Sequence, residues 1–198
     1  MENDGSSRTL RRTVLIVAML NLGYFGVEFI AALNIRSVAL FADSIDFLED
    51  AAVNLLVFAA VGFGRVWRAR VGMALAGLMA VPALAFLAML VHKYLHPVPP
   101  EAMTLGIVGF GALAVNVTCA LLLARHRAQG GSLTRAAFLS SRNDALANVA
   151  LIAAAVATGL TPSIWPDIVV GLAIAALNLD AAHEVWEAAR AEAREPEV

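Results

Sequence analysis

The stretch Val38 to Gly64 holds four carboxylates, Asp43, Asp46, Glu49 and Asp50, in a run otherwise made mostly of Ala, Val, Leu, Ile and Phe. At about 3.6 residues per turn, a helix over this stretch puts Asp43, Asp46, Asp50 and Asn54 on one continuous face and turns Glu49 elsewhere. No soluble helix needs that arrangement. Within hydrocarbon, a stripe of carboxylates is too costly to keep for packing alone, so it marks a site for a cation or for protons.

Composition puts the stretch in a bilayer. The chain of 198 residues is 60% hydrophobic and only 15% charged, with mean hydropathy +0.76, well outside the soluble range. It reads as an all-helical polytopic membrane protein. The net charge of -2 says little, because the placement of charge along such a chain matters more than its sum. The single cysteine, Cys119, excludes an intrachain disulfide and reads as a small packing residue in preference to a ligand.

Six spans are expected: Thr13 to Leu33, Val38 to Gly64, Val71 to His92, Met103 to Ala124, Ala136 to Gly159 and Ile164 to Ala182, each near the roughly 20 residues a crossing needs. Breakers separate them at Asn34-Ile-Arg-Ser, Gly64 to Arg70, His96-Pro-Val-Pro-Pro, Gln129-Gly-Gly-Ser and Gly159 to Pro162. Residues 13–182 thus form the membrane unit, with 1–12 a basic tail in place of a cleaved signal and 183–198 a short tail too small for a soluble domain. Arg8, Arg11, Arg12, Arg65, Arg68, Arg70, Arg125, Arg127, Arg135, Arg190 and Arg194 all fall on one side of the membrane, against Arg36 and Lys93 on the other. The positive-inside rule then makes both termini cytoplasmic. Trp67, Trp165 and Trp186 lie near span ends, where an indole prefers the interface.

The spans contain a repeat. Asp50-Ala-Ala-Val-Asn54 in span two matches Asp144-Ala-Leu-Ala-Asn148 in span five, each with a polar residue four positions upstream, Asp46 and Ser140. Asn21 precedes Asp50 by 29 positions and Asn116 precedes Asp144 by 28. With span two running inward and span five outward, this predicts an inverted duplication of three plus three helices, whose substrate site lies near mid-membrane. Counting about 1.5 Å per residue, Asp46 and Asp50 lie roughly 12 and 18 Å from the outer end, and Ser140 and Asp144 roughly 6 and 12 Å from the inner end. The two pairs can meet, and three carboxylates with a hydroxyl make an oxygen-rich cage suited to a divalent cation.

The pattern Ser37-Val-Ala-Leu-Phe-Ala-Asp-Ser-Ile-Asp46-Phe-Leu-Glu-Asp50, preceded by Asn21 and Glu28, closely resembles the second-helix signature of cation diffusion facilitator transporters. The resemblance runs from about Leu10 to Arg190. It implies six spans, inside termini, often a dimer, and paired ligands on helices two and five that bind Zn2+ or a related metal exchanged for protons. By position, Asp46 and Asp50 carry the second-helix pair and Asp144 the aspartate of the fifth. Two departures stand out. Ser140 occupies the place usually held by His, and the cytoplasmic metal-sensing domain common in the family is not expected here. The chain resembles a short subgroup with Asp-x-x-x-Asp on helix two and Ser/Thr-x-x-Asn-Asp on helix five. Imidazole suits Zn2+, so an all-oxygen cage shifts the expectation toward Mn2+ or Fe2+.

The expected metal site is therefore Asp46, Asp50, Asp144 and Ser140, with Asn143 an alternative fourth ligand and Asp43 an outer ligand, a proton relay, a carboxylate at the helix N-terminus or a partner for Arg36. No cofactor is expected, only a transported ion (Zn2+, Mn2+, Fe2+, Co2+ or Cd2+), protons and the bilayer. Glu49 and Arg142 are expected to form an ion pair, Asn54 and Asn148 to act as interhelical glue, and Glu28 and Asn21 to line the path. Asp167 reads as a residue in the first turn of span six. His92 and His96, an i, i+4 pair, lack a third ligand, and His126 and His183 are isolated. Pro82 is expected to kink span three. Three function classes remain: a metal/proton antiporter in a bacterial plasma membrane, a degenerate paralogue that binds metal or a partner without transport, and a membrane enzyme. The last is weakest, because no nucleophile with a base, zinc-hydrolase motif or phosphate loop is present.

Overall fold

The computed structural model describes residues 2–60, 84–125 and 131–177. Among them are six helices and no strand: α1 (Glu2–Ile35), α2 (Val38–Ala60), α3 (Leu84–Leu95), α4 (Ala102–Ala124), α5 (Gly131–Leu160) and α6 (Trp165–Leu177). The expected spans one, two, four and five fall on α1, α2, α4 and α5, with α1 starting earlier, at Glu2, and α5 earlier, at Gly131; the described parts of spans three and six are α3 and α6. The Gly64 to Arg70 connection, Pro82, Trp67, Trp186, His126, His183 and residues 183–198 lie outside the described residues.

Stretches of α1, α4 and α5 (Thr9–Ile35, Ala102–Ala124 and Ser140–Leu160) are long and apolar enough to cross a membrane. At 23 residues α2 is as long as α4, but its four carboxylates break the apolar run. Apolar side chains such as Met19, Ile30, Ile107, Phe110, Leu121 and Val156 face outward, while Asn21, Glu28, Asp43, Asp50, Asn54, Asn116 and Asn148 are inside. That inversion is what a lipid solvent requires.

The turns follow from local chemistry. α1 closes with Arg36 in the left-handed region (φ 53°), and the Ser37 amide reaches back to the Ala32 carbonyl at 3.0 Å. This is a Schellman closure with arginine in the place glycine usually takes. Ser37 then caps α2, its hydroxyl accepting from the Leu40 amide at 3.0 Å. At α4, Glu101 accepts from the Met103 and Thr104 amides at 2.9 and 2.6 Å. Hydrogen bonds from Thr104, side chain and backbone, and from the Met103 amide hold the Glu101 carboxyl below the ordinary glutamate value. The prolines of His96-Pro-Val-Pro-Pro and Gly159 to Pro162 end α3 and α5 where expected.

α1 packs chiefly on α2 and α4 chiefly on α5, with α1–α4 and α2–α5 contacts joining the two pairs. This is the pairing a duplication of the first three helices produces. α1 and α2 run antiparallel in a fixed register: Arg11 stacks over Phe58, Asn21 meets Asp50, Tyr24 meets Phe47 and Phe29 meets Phe41. Each step forward along α1 is matched by a step back along α2. α2 and α5 are antiparallel as well, since Asp50 meets Ser140 and Ser141 while Asp43 meets Asn148. α5 therefore runs parallel to α1, and its Ser140 end lies on the side of the α1 N-terminus.

Candidate metal site

The inward faces of α1, α2, α4 and α5 carry two polar layers. The first surrounds Asp50, which is buried. Ser140 donates to Asp50 Oδ1 at 2.9 Å, and Asn21 Nδ2 and the Ser141 hydroxyl approach Oδ2 at 3.4 and 3.5 Å. The Ser140 hydroxyl also lies 3.4 Å from Asp144 Oδ2. One hydroxyl thus stands between carboxylates from opposed helices. It has a single proton and can donate to only one of them.

The antiparallel register fixed by Asp50–Ser140, Asp50–Ser141 and Asp43–Asn148 places Asp46 opposite Asp144. Both are half-buried, as is Ser140, so this layer is not sealed. Asp46, Asp50, Ser140 and Asp144 accordingly share one region between α2 and α5. Among the described residues, however, no group of three His, Cys, Asp or Glu side chains is gathered at metal-holding distances. Asp50 and Asp144 are bridged by Ser140, while Asp46 stands beside them.

Asn143 takes a different position. It is exposed, and its Oδ1 accepts from Arg142 Nη2 at 3.3 Å. The inward stripe of α5 runs through Ser140, Ser141, Asp144 and Asn148, and a residue two places from Asp144 is turned some 200° away. That rotation carries Arg142 to the exposed face and corrects the expected Glu49–Arg142 ion pair: Arg142 binds Asn143, and half-buried Glu49 remains on α2.

The second layer lies toward the α2 N-terminus. Asn148 Nδ2 spans both oxygens of Asp43 at 2.9 and 2.7 Å, and Asn148 Oδ1 accepts from Asn116 Nδ2 at 3.0 Å. Asp43 is thus engaged by Asn148 and not by Arg36. Asn148 is interhelical glue as expected, whereas Asn54 donates to the carbonyl of Asp50 on its own helix at 2.8 Å. Tyr24, which donates to the Val108 carbonyl at 2.6 Å, packs against Phe47 with the rings tilted and their centroids 5.1 Å apart, between the two layers.

Three partnerships have no signal in the sequence. Cys119 packs with Val14, Val17 and Leu123, and its thiol also points at Asn21 Oδ1 at 3.7 Å, which turns the amide nitrogen toward Asp50. Asp167 does more than occupy a first turn. It accepts from the Ser37 hydroxyl at 2.6 Å, from the Val38 and Ala39 amides at 3.0 and 3.1 Å, and from Lys93 Nζ at 3.1 Å. Lys93 also donates to the Arg36 carbonyl at 2.6 Å. This knot ties α3 and α6 to the α1–α2 turn. Finally, Gly171 lets α6 sit on α2, because a Cβ there would come within 2.9 Å of the Ala39 nitrogen. His92 and His96 stack on each other at the exposed end of α3.

A helical membrane protein with buried carboxylates facing one another across antiparallel spans belongs to the class that handles cations within the bilayer. The sequence matches the cation efflux transmembrane domain over residues 14–191. The chain belongs to that family: it is an integral membrane protein and a transporter that moves metal cations across the bilayer. A comparison with individually curated proteins returned no match.

Proposed function

We propose that the chain exports a divalent transition metal from the cytoplasm in exchange for protons, using Asp46, Asp50, Asp144 and Ser140 as the exchange site within residues 13–182. The observation that carries this reading is the single Ser140 hydroxyl set between Asp50 and Asp144 at 2.9 and 3.4 Å. One proton cannot satisfy two carboxylates, and Asp46 adds a third beside them. Carboxylates this close in a low-dielectric interior need either added protons or a cation, and exchanging one for the other is the coupled reaction. Facing the cytoplasm, the ionised carboxylates take the metal. Facing outward, protons displace it.

All donors at this site are oxygen, which favours Mn2+ or Fe2+ over Zn2+, with Co2+ and Cd2+ as further substrates to compare. The half-exposed layer lies toward the Ser140 end of α5, on the side of the α1 N-terminus, while the Asp43 layer is sealed. This supports entry from the side assigned as cytoplasmic, with the opposite side closed. The same reading puts the protein in a bacterial plasma membrane and pairs two copies through their membrane helices, which cross-linking in native membranes tests.

The deciding assay is metal movement into or out of proteoliposomes under an imposed pH gradient, comparing wild type with Asp46→Ala/Asp50→Ala. Metal movement against protons that the double variant abolishes supports the proposal. Metal binding with no movement in the wild type overturns it in favour of a non-transporting paralogue.

A further inference from the structure

Glu28 is the buried charge that the exchange site leaves unused. Its side chain is 0% exposed and no donor reaches either carboxylate oxygen; its neighbour is the Asp43 carboxyl, within hydrogen-bond reach once one of the two is protonated. An ionised carboxylate buried without a counter-charge is costly by many kcal/mol in hydrocarbon-like surroundings, so two such groups side by side hold either protons or a cation.

The helix register says what it faces. Asn21, Tyr24 and Glu28 occupy successive turns on one stripe of α1, and Asp50, Phe47 and Asp43 do the same on α2. Asn21 meets Asp50 at 3.4 Å and Tyr24 meets Phe47 at 5.1 Å. One further step in the same antiparallel register sets Glu28 against Asp43. Asp43 is also fully buried and is held in place by Asn148, which Asn116 orients in turn. Asn116 contributes a second orphan, a buried Oδ1 with no donor. Two carboxylates thus collect about two turns along α2 from Asp50, on the far side of the Tyr24–Phe47 contact, with Asn116 joined to them through Asn148.

We propose that Glu28 and Asp43, with Asn116, form a second divalent-cation station between the exchange site and the sealed end of the bundle. The inference rests on the reading of the chain as a divalent-metal transporter and adds a separate stop on the path. The charge fits: two carboxylates are neutralised by one doubly charged ion. The donors fit as well, since all are hard oxygens suited to Mn2+. Asn148 acts here as a positioning residue, because it fixes the Asp43 oxygens without facing the ion.

The test is the stoichiometry of Mn2+ bound to purified protein in detergent micelles, measured by equilibrium dialysis and paired with the proteoliposome assay. Wild type binds two ions per chain, Asp50→Asn keeps one, Glu28→Gln keeps one, and Asp50→Asn/Glu28→Gln keeps none. If wild type transports Mn2+ yet binds one ion, and Asp50→Asn binds none, the second station is overturned while the transport reading stands. If wild type neither binds nor moves any metal, both fall. The wild-type and Asp50→Asn counts decide the question even if the Glu28 variant does not fold.

Discussion

Asp50 and Asp167 are both buried aspartates in a membrane bundle, and they are treated in opposite ways. Asp167 receives four donors, one of them the Lys93 ammonium, at 2.6 to 3.1 Å. Asp50 receives three neutral donors, two of them at 3.4 Å or longer, with another carboxylate beyond Ser140 in place of a cation. The protein neutralises Asp167 with its own residues and leaves the charge around Asp50 unbalanced. A charge that the fold satisfies holds structure together; a charge that it leaves unsatisfied is reserved for something that comes and goes.

The strongest test of that contrast is to neutralise each side chain at constant shape. Asp50→Asn is expected to drop metal transport to the level of empty liposomes while leaving thermal unfolding in detergent unchanged or slightly improved. Preserved transport in that variant breaks the comparison. Asp167→Asn is expected to do the reverse, destabilising the bundle by about 3–5 kcal/mol because Lys93 is left buried and unpaired. Thermal unfolding checks it, and Lys93→Met in the same chain should recover part of the loss.

Gly171→Ala probes the same knot by sterics, since the added methyl would press on the α2 backbone, and a cost of about 1–3 kcal/mol is expected in the same assay. On the other side, Cys119→Ala removes the thiol that orients Asn21. It should weaken apparent metal affinity by about tenfold without changing the unfolding temperature, as losses of outer support do. A larger fall in stability than in affinity would make Cys119 a packing residue alone. The smallest effect is expected from Arg36→Gly, which relieves a left-handed residue and should raise stability by about 1 kcal/mol.

Much of this arrangement was legible in the sequence because it is periodic. The stripe of Asp43, Asp46, Asp50 and Asn54 and its echo at Asp144 and Asn148 located α2 and α5 and their inward faces. Ser140 was found by spacing, and the structure brings it to Asp50. What escaped were the contacts between distant elements that no repeat or family motif points to. Lys93 reads as an outer-loop charge, and nothing in its neighbourhood points to Asp167, which lies three helices further on. Cys119 looked like packing because its run is apolar, and its second role depends on how α4 crosses α1. The Glu49–Arg142 pair failed for a different reason: charge complementarity suggested it, but two residues of helical rotation separate Arg142 from the stripe that faces α2.

The two-residue link between α1 and α2 also bears on how the protein is made. Carrying four carboxylates, α2 is the helix least able to enter a bilayer alone, whereas α1 holds a crossing segment with one carboxylate, Glu28. Because only Arg36 and Ser37 separate them, the pair must partition into lipid as one hairpin. The register that sets Asn21 against Asp50 then gives α2 polar company during insertion. The residues that prepare the path for a metal in the finished protein also ease the passage of the chain itself into the membrane.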